Sequence, residues 1–146
     1  MSKLELNDSI GFLIGTTFRG LAAELNHRLS KEEAGVSFEH WILLVRLWDK
    51  DGQSQQEIAK SLQKDKTSIT RLLDHLEKHE YVKRVADTCD RRNKLIFLTS
   101  KGKKLEEKLI PVCQDTITQA REGIPENEME TCKKVLRKLR ENLGLT

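Results

Sequence analysis

Lys64, Lys66, Thr67, Ser68, Thr70 and Arg71 carry the densest interaction chemistry in this 146-residue chain. A guanidinium can take the O6 and N7 edge of guanine in bidentate fashion, and short hydroxyls permit close approach to base edges. Ammonium groups at the start of such a run pair with phosphate rather than with a base. The same residues could also form an ordinary solvated helix face. Their spacing favours the first reading. Ile69, Leu72, Leu73 and Leu76 fall at i, i+3, i+4 and i+7, one buried helical stripe. That leaves Lys66, Thr67, Ser68, Thr70, Arg71, Asp74, His75 and Lys78 pointing outward. A face that is polar and basic, without apolar residues, suits a polyanion better than a protein groove. A second polar group, Asp90-Arg91-Arg92, lies some twenty residues on, between two alternating segments.

The elements that must hold these groups can be read on either side of them. Ser54-Gln55-Gln56-Glu57 has the form of a capping box, in which Ser54 accepts from the Glu57 amide and the Glu57 carboxylate reaches back. Ile58, Ala59 and Leu62 then face inward, and the small Ala59 lets the next helix cross closely. A turn at Gln63-Lys64 leads to Asp65, a good amino-terminal cap for the basic helix. Tyr81–Ala86 and Lys94–Thr99 alternate as two strands, with Asp87–Asn93 as a polar loop too long for a two-residue hairpin. Helix, turn, polar helix, strand, basic tip, strand is the order of a winged helix-turn-helix, which lays one helix in the major groove of double-stranded DNA.

Upstream, Ser37 caps a helix to about Asp49 that is apolar on nearly every side and therefore belongs at the centre of the domain. Residues 8–31 repeat apolar positions at helical period: Ile10, Leu13, Ile14, Phe18, Leu21, Leu25 and Leu29. Downstream, Thr99 can cap a helix from Lys101 to about Glu122, with Leu105, Leu109, Val112, Cys113, Ile117 and Ala120 inward and a kink expected at Pro111. Pro125 then suits the first turn of a last helix striped by Cys132, Val135, Leu136, Leu139 and Leu143. The expected fold class is mainly α with a small β wing. One domain covers 1–146, with about 37–100 as the winged helix-turn-helix and about 8–31 and 101–144 as helices that join into a bundle. Spare apolar stripes on such a bundle predict a homodimer, with Ile10 and Leu13 at one end of the chain and Val135, Leu136, Leu139 and Leu143 at the other.

Composition narrows the class. Charged residues make up 34% and aromatics 5%, which suits a helical protein with many solvated faces. From Asp51 to Lys104 there are 13 Lys and Arg against 8 Asp and Glu, an excess of five. The remainder has 13 against 15, so the positive charge gathers on the segment with the DNA-reader pattern. The longest apolar run, Trp41–Val45, is far too short to span a bilayer, and no membrane partner is expected. With no apolar leader at the amino terminus, a cytoplasmic location is expected. Cys89, Cys113 and Cys132 are widely spaced and read as free thiols. No cofactor or metal is implied, because the cysteines and the four histidines lack ligand spacing. Without a Gly-rich phosphate loop or a nucleophile elbow, catalysis is not expected.

From about residue 8 to 143 the pattern resembles the MarR (multiple antibiotic resistance regulator) family of bacterial transcriptional regulators. The resemblance is sharpest in QQEIAKSLQKDKTSITRLLDHLEKHEYVKR and in DRRNKLIFLTSKGKK, the latter an Asp-Arg-Arg tip followed by a strand and Leu-Thr-x-x-Gly. It implies a homodimeric repressor with one winged domain per half of an inverted-repeat operator, often under small-molecule or redox control. Arg92 resembles the wing-tip arginine that enters the minor groove, Asp90 the carboxylate that orients it, and Arg91 a phosphate contact. Phe18, His40, Trp41, Trp48 and Leu109 are candidate walls of an effector pocket, and could equally be core. The chain departs from the family pattern at Glu80, where glycine is usual, and in having no cysteine near its first helix. The alternative reading is a winged-helix module that binds protein rather than DNA.

Overall fold

The computed structural model describes residues 5–145. A short 3-10 turn, Leu6–Asp8, precedes α1 (Ile10–Ser30) and α2 (Phe38–Asp49). Next come β1 (Gln53–Ser54), α3 (Gln55–Leu62), α4 (Lys66–Lys78), β2 (Val82–Ala86) and β3 (Lys94–Leu98). α5 (Ser100–Ala120) and α6 (Glu126–Asn142) close the described chain. Every helix expected from periodicity is present, with ends shifted by one or two residues.

The sheet corrects the sequence reading. It has three antiparallel strands in the order β1-β3-β2, not two. β1 pairs Gln53 with Ile96 and Ser54 with Leu95, and β2 pairs with β3 from Val82↔Leu98 to Ala86↔Lys94. A two-residue strand is too short to show alternation, and its Ser54 also starts a helix, so the cap signal hid the strand. Only half of the expected capping box forms: Ser54 Oγ accepts from the Glu57 amide at 3.0 Å, while the Ser54 main chain lies in β1.

α2 sits where its composition requires, with Leu43, Leu44 and Leu47 fully buried. Around it pack Leu25 and Leu29 of α1, Ile58 of α3, the α4 stripe of Ile69, Leu72, Leu73 and Leu76, Ile96 of β3, and Leu105 and Leu109 of α5. Fully burying a side chain of this size contributes about 1.5–3 kcal/mol. The α4 stripe therefore fixes which face of that helix is left for solvent.

Local chemistry sets the boundaries. Gln63 ends α3 in the left-handed region at φ +52°, which makes the tight helix–turn–helix corner. Glu80, just after α4, is left-handed at φ +62°. There the expected strain of a non-glycine residue is met by a bond from Thr99 Oγ1 to the Glu80 carbonyl at 2.6 Å. Thr99 also accepts from the Gly102 amide at 3.0 Å, capping α5 as expected. A Cβ on Gly102 would lie 2.1 Å from the Tyr81 carbonyl oxygen, so the Leu-Thr-x-x-Gly segment is a close crossing of α5 over the start of β2. α5 continues through Pro111, whose missing amide leaves the Glu107 carbonyl without its usual donor. Pro125 stands at the cap of α6, one position before the first turn proposed for it.

Candidate nucleic-acid interface

On α4 the outward positions divide. Lys66, Thr67 and Arg71 are exposed, and Ser68 and Thr70 are half-buried on its two flanks. Asp65 precedes the helix as its cap residue, but its carboxylate accepts from the Ser68 hydroxyl instead of a main-chain amide. That bond holds the Asp65 carboxyl below the usual carboxylate range. Thr70 Oγ1 accepts from Gln55 Nε2 at 2.7 Å. Lys64, in the turn, is half-buried and pairs with Glu39 Oε1 at 3.7 Å.

His75 departs from the expected outward orientation. Its ring stacks on His40 at 4.0 Å and lies 4.2 Å from His79, which is 6.0 Å from Tyr81. His75 Nε2 donates to the Gly35 carbonyl at 2.6 Å, and Tyr81 donates to the Ala34 carbonyl at 2.5 Å. A flank of α4 is thus fastened to the loop before α2. Helical periodicity alone could not show this, since the ring partners come from other elements. His40 Nδ1 accepts from the Ser37 amide at 3.1 Å, so the ring completes the α2 cap. Burial foremost, then the neighbouring His75, lowers the His40 pKa to about 4.

The wing loop is built by its own aspartates. Asp87 and Asn93 close its base, the Asp87 amide donating to the Asn93 carbonyl at 3.0 Å. Asp87 Oδ1 accepts from the Cys89 amide, and Asp90 Oδ1 from the Arg92 amide, each at 3.0 Å. Asp90 therefore shapes the tip through the main chain of Arg92, not through its guanidinium. β2 is strapped to α4 by Arg84, whose Nη2 donates to Asp74 Oδ1 at 2.7 Å and to the Thr70 carbonyl at 3.1 Å.

These elements converge on one open cleft of about 550 Å³. Gln55, Gln56, Ala59, Lys66 and Thr70 line its helical side, and Asp90, Arg92, Asn93 and Lys94 its wing side. Four of the residues singled out from sequence, Lys66, Thr70, Asp90 and Arg92, meet here. Gln55, Gln56, Asn93 and Lys94 were missed, although polar residues at a helix start beside a basic helix could have pointed to Gln55 and Gln56, and position beside the Asp-Arg-Arg tip to Asn93 and Lys94. Lys66, Arg71, Arg91 and Arg92 form no ion pair among the described residues, so their charge is free for a polyanion.

The candidate effector residues are not gathered round one cavity. Phe18 lines a cleft of about 600 Å³ between α1, α2 and the α3–α4 turn, with Ala22, Asn26, Phe38, Ile42 and Leu62. Trp48 Nε1 donates to the Gly102 carbonyl at 3.0 Å, Leu109 is fully buried, and His40 belongs to the α2 cap. Trp41 is half-buried, its indole N–H buried without an acceptor. Of the candidate dimer residues, Ile10, Leu13, Val135, Leu136 and Leu143 are exposed and Leu139 is half-buried. α6 buries none of its residues. Cys113 is buried, which pushes its thiol up to about 12, whereas Cys89 and Cys132 are exposed.

A basic helix and a basic wing facing one cleft, on a scaffold of flanking helices, define a winged helix-turn-helix protein of the DNA-binding class. Residues 36–94 match the MarR family. The transcriptional regulator PA3341 is 33% identical, with 93% of this chain and 98% of that one aligned at a TM-score of 0.81. MepR of S. aureus, solved as a DNA complex, is 26% identical over 92% of this chain and 98% of that one, with a TM-score of 0.83. CouR of Rhodococcus jostii RHA1, solved bound to p-coumaroyl-CoA, is 25% identical over 94% and 95%, with a TM-score of 0.82. The chain belongs to the MarR family of transcriptional regulators. Among the described residues no helix is long and apolar enough to cross a membrane.

Proposed function

We propose that the protein is a homodimeric repressor whose two copies each set α4 into the major groove and the wing tip into the adjacent minor groove of an inverted-repeat operator. The observation that carries this reading is the cleft in which Lys66 and Thr70 face Asp90, Arg92 and Lys94. Thr67 and Arg71, both exposed on α4, read base edges. Lys64, Lys66 and Arg91 contact phosphate, and the Arg92 guanidinium follows the negative potential of a narrow minor groove. MepR, whose solved structure is a DNA complex, supports DNA as the partner. A protein-binding winged helix would need exposed apolar residues on α4, but its exposed side chains there are Lys66, Thr67, Arg71, Asp74, Glu77 and Lys78. Selection of bound duplexes from random DNA tests the reading. An enriched inverted repeat, its half-sites about 10–10.5 base pairs apart, is expected. Binding that enriches no sequence would contradict it.

The dimer joins the exposed apolar positions of α1 to those of α6, both of which lie outside the winged domain. A small molecule relieves repression by entering the cleft beside Phe18, where α1 meets α2 and the α3–α4 turn. From there it shifts the reading heads relative to the dimer helices. CouR, solved with p-coumaroyl-CoA bound, supports ligand binding on this scaffold. A ligand changes operator affinity only by its differential affinity for the two arrangements, typically about 1–3 kcal/mol. A compound that stabilises the protein to heat yet leaves operator affinity unchanged would contradict this mechanism.

A further inference from the structure

We propose that Gln55 is a positioning residue for base recognition: its side-chain amide engages the Thr70 hydroxyl so that the hydroxyl proton is turned to an acceptor on DNA. This rests on the DNA-reading role proposed above for α4.

A hydroxyl offers one proton and two lone pairs. Gln55 Nε2 occupies one lone pair of Thr70 Oγ1 at 2.7 Å. No acceptor takes the hydroxyl proton among the described residues. Thr16, Thr116 and Thr131, each also within a helix, donate to the carbonyl four residues back at 2.8–2.9 Å. Thr70 makes no such bond among the described residues, and the Thr70 carbonyl itself takes the Arg84 guanidinium at 3.1 Å. Both Gln55 and Thr70 line the cleft that faces the wing. Once DNA covers the cleft, a donor left without a partner is costly, so the contact favours a base edge that accepts. In the major groove guanine offers N7 and O6, adenine N7 beside its amino donor, and thymine O4, whereas cytosine offers only its amino donor. Gln55 therefore selects through Thr70 without touching the base.

Gln55→Glu reverses the arrangement. A carboxylate accepts the Thr70 proton, which leaves only lone pairs facing DNA. Gln55→Leu keeps the bulk and removes the bond. The experiment is selection from random duplexes by the full-length protein, by both Gln55 variants, and by each of them combined with Thr70→Val, with thermal melting of every protein. The wild type is expected to favour a base that carries an acceptor, guanine, adenine or thymine, over cytosine at one position per half-site. Replacing that base by analogues that lack N7, O6 or O4 in turn should weaken wild-type binding through one of these acceptors and leave Thr70→Val unaffected. Gln55→Leu is expected to relax the preference there by about tenfold, and Gln55→Glu to move it toward cytosine. In the Thr70→Val background neither change should alter it. Unchanged preference in both single variants, while the wild type still enriches a repeat, overturns the inference and leaves the operator reading standing. So does a Gln55 effect that persists without the Thr70 hydroxyl, or a wild type that already selects cytosine at this position. A wild type that enriches no repeat overturns both.

Discussion

Glu80 occupies a left-handed backbone position at φ +62°, where a Cβ crowds the following carbonyl. Its carbonyl is held by Thr99, and that bond depends on the backbone shape, not on the glutamate side chain. Glu80→Gly should therefore raise stability by about 0.5–1 kcal/mol, or about 2–3 °C in Tm, as read by calorimetry. His40 gives a second, opposite lesson. Its folded pKa of about 4 lies below its ordinary 6.5, so the unfolded chain takes up the proton first. The contribution of the neutral ring is complete above pH 6.5 and is lost as pH falls towards 4. Arg71, His75 and His79 oppose its protonation, and Glu39 favours it. Stability should drop by about 1–2 kcal/mol between pH 7 and pH 5 on this account. Gln at this position retains a capping-box partner for Ser37. His40→Gln should accordingly flatten that part of the urea-denaturation profile, and an unchanged slope would contradict the assignment. At this scale the sequence was legible for residue type and face. It was silent on partners: Gln55 with Thr70, Arg84 with Asp74, and His75 with His40 are met only once helices from distant positions cross.

Among the elements, α4 shows how much a strong period can specify. Its four apolar residues bury one face, and the basic face follows by exclusion. The Leu-Thr-x-x-Gly segment specifies more still: Leu98 is core, Thr99 caps α5 and ties Glu80, and Gly102 lets the helix pass Tyr81 while its carbonyl takes Trp48 Nε1. An added methyl at Gly102 meets main chain, which has no rotamer to escape into. Gly102→Ala should cost about 2–4 kcal/mol in urea denaturation, at the upper end of ordinary overpacking. A cost under half of that would mean α5 can lift off β2. β1 escaped the sequence reading because two residues carry no period and because Ser54 serves strand and helix at once. The effector candidates were drawn mostly from apolar and aromatic residues of α1, α2 and α5, and such residues do not reveal whether they meet at a cavity or at the core. Leu109 is fully buried in the core, and Trp48 packs half-buried against it.

For the whole molecule, the informative surface is apolar. Ile10 is 59% exposed and Leu143 74%, and no residue of α6 is buried. A helix of this kind gains little from the rest of its own chain, so the account assigns its stripe to a second copy. Val135, at 50% exposure, can be changed without opening the core. Val135→Asp should convert a dimer of about twice 16.8 kDa into monomer, or lower its Tm in a concentration-dependent way, by sedimentation and melting. A wild-type protein that sediments as a monomer at micromolar concentration would contradict the assembly.

The central claim is that α4 and the wing read DNA together. The most direct measurement is the affinity of wild type, Arg71→Ala and Arg92→Ala for the selected operator and for a shuffled duplex, titrated at several salt concentrations. Arg71→Ala is expected to lose about 1–3 kcal/mol on the operator and to relax preference at one position per half-site. Arg92→Ala should weaken operator binding, reduce its salt dependence and blunt any preference for narrow A·T minor grooves. Operator affinity unchanged in both variants at moderate salt would contradict that claim.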